Sequence, residues 1–183
     1  MNKPITYVYL ETTNYCNLAC SFCNRDEVIG ALNHMPIEKF RTLMESIKHH
    51  PITEAKLMGM GEPMLHPKFN EVCKIFKEYF PDAFLIVATN CQYNIGEGRP
   101  LRERFQDALQ YIDLLYFSID GYDKSYERDR SPAKWSRLLS FLGDFKEMDR
   151  RGCRVTCNYV VNPQNVSDIQ RVSDEIVDGY GLE

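Results

Sequence analysis

Cys16, Cys20 and Cys23 stand in a C-x3-C-x2-C spacing within Asn14-Tyr15-Cys16-Asn17-Leu18-Ala19-Cys20-Ser21-Phe22-Cys23. Thiolates are the ligands that iron–sulfur clusters take, and each of the four irons of a cubane wants one. Three are supplied at this spacing. One corner is left for a ligand that the polypeptide does not provide, which is the usual difference between a reactive metal centre and a closed structural one. Three other readings stay open at this point. The cysteines could be small buried hydrophobes, although three of them crowded beside Asn and Ser suit a loop better than a core face. A zinc site could be completed by a distant Cys or by His34, but a second paired ligand motif is not found. An electron-carrying ferredoxin would show its fourth cysteine in a recognisable run.

The elements that must position such a loop can be read from periodicity. A first strand is predicted over residues 5–10, delivering residues 11–14 and the cysteine loop at its end. The loop runs to about Met35. A helix follows from Pro36, which suits a first helical position, with Ile37, Phe40, Leu43, Met44 and Ile47 on one face. Residues 55–60 form a second strand, and a helix from about Pro67 carries Phe69, Val72, Phe76 and Tyr79 at helical spacing. Residues 84–88 are a continuous apolar run of the kind buried on both faces in parallel sheets. Residues 92–100, with Gly96 and Gly98, read as loop, and a helix covers 101–111. A fourth strand is predicted over 114–119, then a loop or broken helix over 122–132. A long amphipathic helix through Trp135, Leu138, Leu142, Phe145 and Met148 follows, capped by Gly152. A fifth strand spans 154–161 and a last helix 166–177. Five β-then-α units in a row predict an α/β fold with parallel strands, and in such sheets the chemistry gathers at the C-terminal strand ends. Each polar motif lies at such an end.

Composition bounds the function classes. A chain of 183 residues with 44% hydrophobic residues can build one domain around a proper core. No apolar run approaches a membrane span, and Met1-Asn2-Lys3-Pro4 lacks the charged-then-apolar build of a signal peptide, so the expected compartment is the cytoplasm. Seven cysteines, clustered and odd in number, are a poor disulfide framework and suit a reducing compartment. Cys73, Cys153 and Cys157 are expected in the core. A net charge of −4 offers no general pull on nucleic acid, and the arginines at 99, 102 and 104 and at 128, 130 and 137 read as solvated faces unless one is placed by a site.

The triad, with the aromatic Phe22 just before its last cysteine, resembles the signature of the radical S-adenosylmethionine (SAM) enzymes. The resemblance implies a [4Fe–4S] cluster on Cys16, Cys20 and Cys23, with SAM on the fourth iron. It further implies reductive cleavage to a 5′-deoxyadenosyl radical that takes a hydrogen atom from a substrate, the electron coming from an external donor of flavodoxin or ferredoxin type. Gly59-Met60-Gly61-Glu62-Pro63 is similar to the family's Gly-Gly-Glu motif, which assigns Gly59, Gly61 and Glu62 to SAM. Phe117-Ser118-Ile119-Asp120-Gly121 resembles the Ser-x-Asp-Gly of the branch with SPASM or twitch extensions. In that branch the serine and an arginine twelve residues later, here Ser118 and Arg130, contact SAM, while Asp120 positions substrate or caps the turn. Asn90 matches the Asn of Thr-Asn-Gly, with Cys91 in place of the glycine, and Asn165 has a structural counterpart. The fold implied is a partial (βα) barrel, an incomplete TIM-like core. The match covers residues 1–183 as one domain with five of the family's six βα units, and without the sixth the fifth strand is expected to present an open edge that invites self-association. Gly-Met-Gly-Glu-Pro also occurs in RNA methyl-transferring members, which stand as the alternative beside a non-catalytic zinc module. The substrate class stays open among peptide, cofactor precursor, nucleic acid and metabolite.

Overall fold

In the computed structural model, which describes residues 4–93 and 99–183, the five predicted strands lie side by side in one parallel sheet. Its strands are β1 (Tyr7–Tyr9), β2 (Glu54–Leu57), β3 (Phe84–Thr89), β4 (Leu114–Ser118) and β5 (Arg154–Asn158), and their spatial order is their chain order. Between β1 and β2 come α1 (Arg25–Val28) and α2 (Ile37–Ile47). Single helices, α3 (Phe69–Tyr79) and α4 (Arg99–Ala108), make the next two connections. A pair, α5 (Lys124–Asp129) and α6 (Trp135–Lys146), joins β4 to β5, and α7 (Ile169–Val172) and α8 (Asp178–Tyr180) follow. Parallel neighbours need such helical crossovers, and the result is an open α/β sheet.

Alternation along the strands sorts the two faces. Ala55, Leu57, Leu85, Val87, Leu115, Phe117 and Val155 turn into a core built with the helices. Phe117 meets Phe141 and Phe145 of α6 edge to face, with ring centroids 5.3 and 5.0 Å apart, and Phe105 of α4 joins the same group. Each such fully buried ring contributes roughly 1.5–3 kcal/mol relative to exposure. Cys73 and Cys153 are buried in this core as expected, and Cys157 is partly buried at its edge.

Except for β3, which runs one residue further, to Thr89, the strands end earlier than periodicity alone predicts, and beyond two of them a side-chain oxygen takes a backbone N–H. β2 stops at Leu57 because Met60 N–H donates to Glu11 Oε1 (2.5 Å). β5 stops at Asn158, and Val160 N–H donates to Asp120 Oδ1 (2.6 Å). Pro36 is the N-cap of α2, with ψ 142°, rather than its first helical residue. α6 ends at Lys146, so Gly152 does not cap it; its φ of 86° turns the chain into β5. The last helical stretch carries a π turn at Ser173–Val177 and extends to Tyr180. The edge of β5 is partly occupied: Glu183 N–H donates to Val155 O (2.7 Å), and Arg154 pairs with the Glu183 carboxylate at 2.6 Å. The loop expected around Gly96 and Gly98, and residues 1–3 of the N-terminus, lie outside the described residues. No helix among the described residues is long and apolar enough to cross a membrane.

Candidate functional site

At the C-terminal ends of β2, β3 and β4 an open cavity of about 180 Å³ lies beneath the cysteine loop. All three thiols line it together with Phe22, Gly59, Gly61 and Glu62 from beyond β2, Asn90 from beyond β3, Ser118 at the end of β4 and Arg130 after α5. Asp120 is the one predicted site residue that does not reach the lining; it is fully buried and paired to Arg130.

The loop has little regular structure of its own and is shaped by bonds from remote segments. Ala19 N–H donates to Ser131 O (2.6 Å) and Ser21 N–H to Asp129 O (2.9 Å), so the segment after α5 holds its middle. Arg25 donates to Cys16 O (3.1 Å), and Asn17 Nδ2 to Gln92 O (3.0 Å). Asn90 Nδ2 donates to Asn17 Oδ1 (2.8 Å) and stands 3.8 Å from Cys16 Sγ. The thiols themselves are free, Cys23 exposed and the other two half-buried. Burial pushes the Cys16 thiol up, and that of Cys20 up to about 11. Such thiols stay protonated at neutral pH until a metal takes them, and coordination deprotonates a thiol outright. Among the described residues no three His, Cys, Asp or Glu side chains gather around the position of a single metal ion. Three free thiols on one cavity wall are the ligands a cubane takes, one to each of three irons, so the donor set fits the cluster. His34, the distant ligand weighed for zinc, is engaged elsewhere: it bonds Thr13 Oγ1 (2.8 Å) and stacks on Tyr15.

Beyond β2 the two glycines permit backbone contact with the β1 loop. A Cβ on Gly61 would stand 2.1 Å from Thr13 O, and one on Gly59 would stand 2.3 Å from Glu11 Oε1. Glu62 N–H donates to Tyr15 O (2.6 Å) in the same contact. The Glu62 carboxylate is buried, which pushes its pKa up, and it accepts Asn90 N–H at 2.7 Å and Met64 N–H at 3.2 Å. It therefore staples the ends of β2 and β3, with the Tyr93 and Thr89 hydroxyls as further hydrogen-bond partners.

After β3 the chain keeps the backbone that glycine usually supplies, although Cys91 stands there: its φ is 59°. Asn90 Oδ1 accepts Gln92 N–H (2.9 Å), closing the local turn that holds this conformation. After β4, Arg130 is only 7% exposed, which removes it from the solvated-face reading. Its Nε lies 2.6 Å from Asp120 Oδ2, and its guanidinium faces the Phe22 ring at 5.8 Å. Asn165, fully buried, donates to Asp120 O (3.1 Å) and Val160 O (2.9 Å) and so braces this pair, a structural role as expected.

Sequence reasoning missed Asn17, Gln92 and Asp129. Gln92 is buried; it donates to the Tyr126 hydroxyl (3.0 Å) and accepts Lys134 N–H (2.9 Å), tying the end of β3 to the start of α6. The available signal was a run of amide side chains directly after a strand, within and beside the cysteine loop.

Residues 10–176 match the profile of the Radical SAM superfamily. Over 178 residues the chain is 23% identical to a protein of Pyrococcus horikoshii named "Probable GTP 3',8-cyclase", covering 95% of this chain and 54% of that one. It is 26% identical over 176 residues to the PqqA peptide cyclase of Xanthomonas campestris pv. campestris, covering 91% and 42%. The crystal structure of Streptococcus suis SuiB bound to S-adenosylmethionine superposes with a TM-score of 0.73 at 18% identity, covering 98% of this chain and 39% of that one, and so shares the fold. The chain spans about half or less of the length of these relatives. With a profile match across nearly its whole length and the thiol triad on the cavity wall, the chain belongs to the radical SAM superfamily.

Proposed function

We propose that residues 1–183 form one radical SAM core of five βα units that binds a [4Fe–4S] cluster on Cys16, Cys20 and Cys23 and SAM in the adjoining cavity. The family is an enzyme family whose cofactors are that cluster and SAM. Bound together, they supply one-electron reductive cleavage of SAM and a 5′-deoxyadenosyl radical for hydrogen abstraction. The observation that carries the reading is the meeting of three free thiols with residues from three strand ends on one cavity.

The chain's own residues then bind, orient and shield. Glu62 and the backbone at Gly59 and Gly61 offer acceptors and a strand-like edge to an amino group. Ser118 and Arg130 offer donors to a carboxylate and to ribose hydroxyls, and Asp120 holds Arg130 in place. Phe22 covers the guanidinium and Asn90 fixes the side of the loop near Cys16. Cys23, the exposed member of the triad, marks the face on which an external flavodoxin- or ferredoxin-type donor approaches. The Ser-Ile-Asp-Gly sequence favours the SPASM or twitch branch, and with it peptide or protein modification, or cofactor or metabolite biosynthesis, over RNA methyl transfer.

Metal and acid-labile sulfide analysis after anaerobic reconstitution tests the cluster. The expected content is about four irons and four sulfides per chain, lost when any one of the three cysteines is replaced by Ala. Tight zinc binding without sulfide would establish the structural module instead.

A further inference from the structure

On the sheet face opposite the helix-packed core, Lys56 of β2 points its ammonium among three tyrosines. Its Nζ lies 5.5 Å from the ring centroid of Tyr7, 5.7 Å from that of Tyr9 and 6.0 Å from that of Tyr116. Tyr7 and Lys56 also share a side-chain hydrogen bond. Among the described residues no carboxylate pairs with Lys56, although Glu54 stands two residues before it on the same face. Ring quadrupoles hold an ammonium in place but do not neutralise it. A half-buried cation with aromatic walls and no counter-ion is left.

The register places this cation beside the cavity of the cysteine loop. Lys56 is level with Tyr9 and Ile86, and Tyr116 is level with Ala88, which lines the cavity. Residues two apart on one face of a strand are separated by roughly 7 Å, so a small molecule or one peptide side chain can touch Lys56 and reach the cavity together. Ile86 is the buried floor between them. The other basic residue on the five strands is Arg154, three strands away and already paired with Glu183. One ammonium balances one negative charge. A phosphate monoester is better met by a guanidinium fork or a helix N-terminus, and neither accompanies Lys56 here.

We propose that Lys56, walled by Tyr7, Tyr9 and Tyr116, receives a carboxylate of the substrate and thereby selects which molecule is presented to the cavity. The proposal rests on the reading of that cavity as a radical SAM site, but its test does not depend on turnover. The reconstituted chain is titrated with 3-phenylpropionate, 3-phenylpropionamide and phenyl phosphate by ligand-observed NMR. The acid is expected to bind at least about tenfold tighter than the amide, since hydrogen bonds to charged groups carry about that much, and tighter than phenyl phosphate. Lys56→Met should equalise acid and amide, while Lys56→Arg should keep the preference. Acid no tighter than amide, an undiminished preference in Lys56→Met, or tighter binding of phenyl phosphate would each overturn it. If Lys56→Met does not fold, Lys56→Gln takes its place, because Ser118 and Arg130 offer the unmutated chain a carboxylate site of their own. A chain that shows the preference yet never cleaves SAM keeps the carboxylate site and loses the radical reading; one that cleaves SAM without the preference loses only the carboxylate site.

Discussion

Individual side chains around the cavity carry more structural than exposed chemical duty. Arg130 neutralises the fully buried Asp120, and removing one partner of a buried pair leaves an uncompensated charge. Arg130→Met should therefore lower stability by roughly 3–5 kcal/mol, measured by urea unfolding; a loss under about 1 kcal/mol would mean the pair is effectively solvated. Gly61→Ala forces a methyl to within 2.1 Å of a backbone carbonyl that cannot swing away. Overpacking of this kind costs about 1–3 kcal/mol, and because the contact joins β2 to the cysteine loop, cluster loading should fall with it. The thiol triad stands out in the sequence by its spacing, whereas Glu62 is reached only through the resemblance of Gly59-Met60-Gly61-Glu62-Pro63 to a family motif. The partners of Glu62 were not legible, because two are backbone N–H groups without a residue signature and the hydroxyls of Tyr93 and Thr89 reach it only through the fold. Cys91 shows the reverse: the sequence departs from glycine, yet the backbone keeps φ at 59°, held by the Asn90 turn.

Between elements, the cysteine loop depends on α5 and the segment after it. Asp129 and Ser131 accept loop N–H groups through their carbonyls, while the Asp129 carboxylate is bound by Arg128 at 2.6 Å and by Asn162 Nδ2 at 3.1 Å. The hydrogen bonds from Arg128, with help from Asn162, hold that carboxyl below the usual carboxylate range. A depressed native pKa contributes stability that is present above about pH 4 and is lost as pH falls through the native value. Urea midpoints measured from pH 6 down to pH 3 should therefore fall more steeply for the wild type than for Asp129→Asn; parallel curves would show that this carboxylate contributes nothing. Helix positions were readable from apolar spacing, as α3 and α6 illustrate. Strand ends were not, since β2 and β5 are cut short by the carboxylates of Glu11 and Asp120, whose reach depends on tertiary placement.

At the scale of the molecule, five βα units were legible because strand-like stretches alternate with amphipathic helices, and the sheet observed keeps them in chain order. The edge of β5 was less so: Glu183 bonds Val155 along it, a contact that depends on where the chain returns after α8. The fold sets the cysteine loop over the ends of β2, β3 and β4, and the proposed chemistry belongs to the cavity there. The most direct measurement is 5′-deoxyadenosine formed by the anaerobically reconstituted chain incubated with SAM and dithionite. Its appearance in the wild type and its loss in Cys20→Ala are the predicted results. A loaded four-iron cluster that yields none, or formation that persists in Cys20→Ala, would contradict the assignment of this cavity.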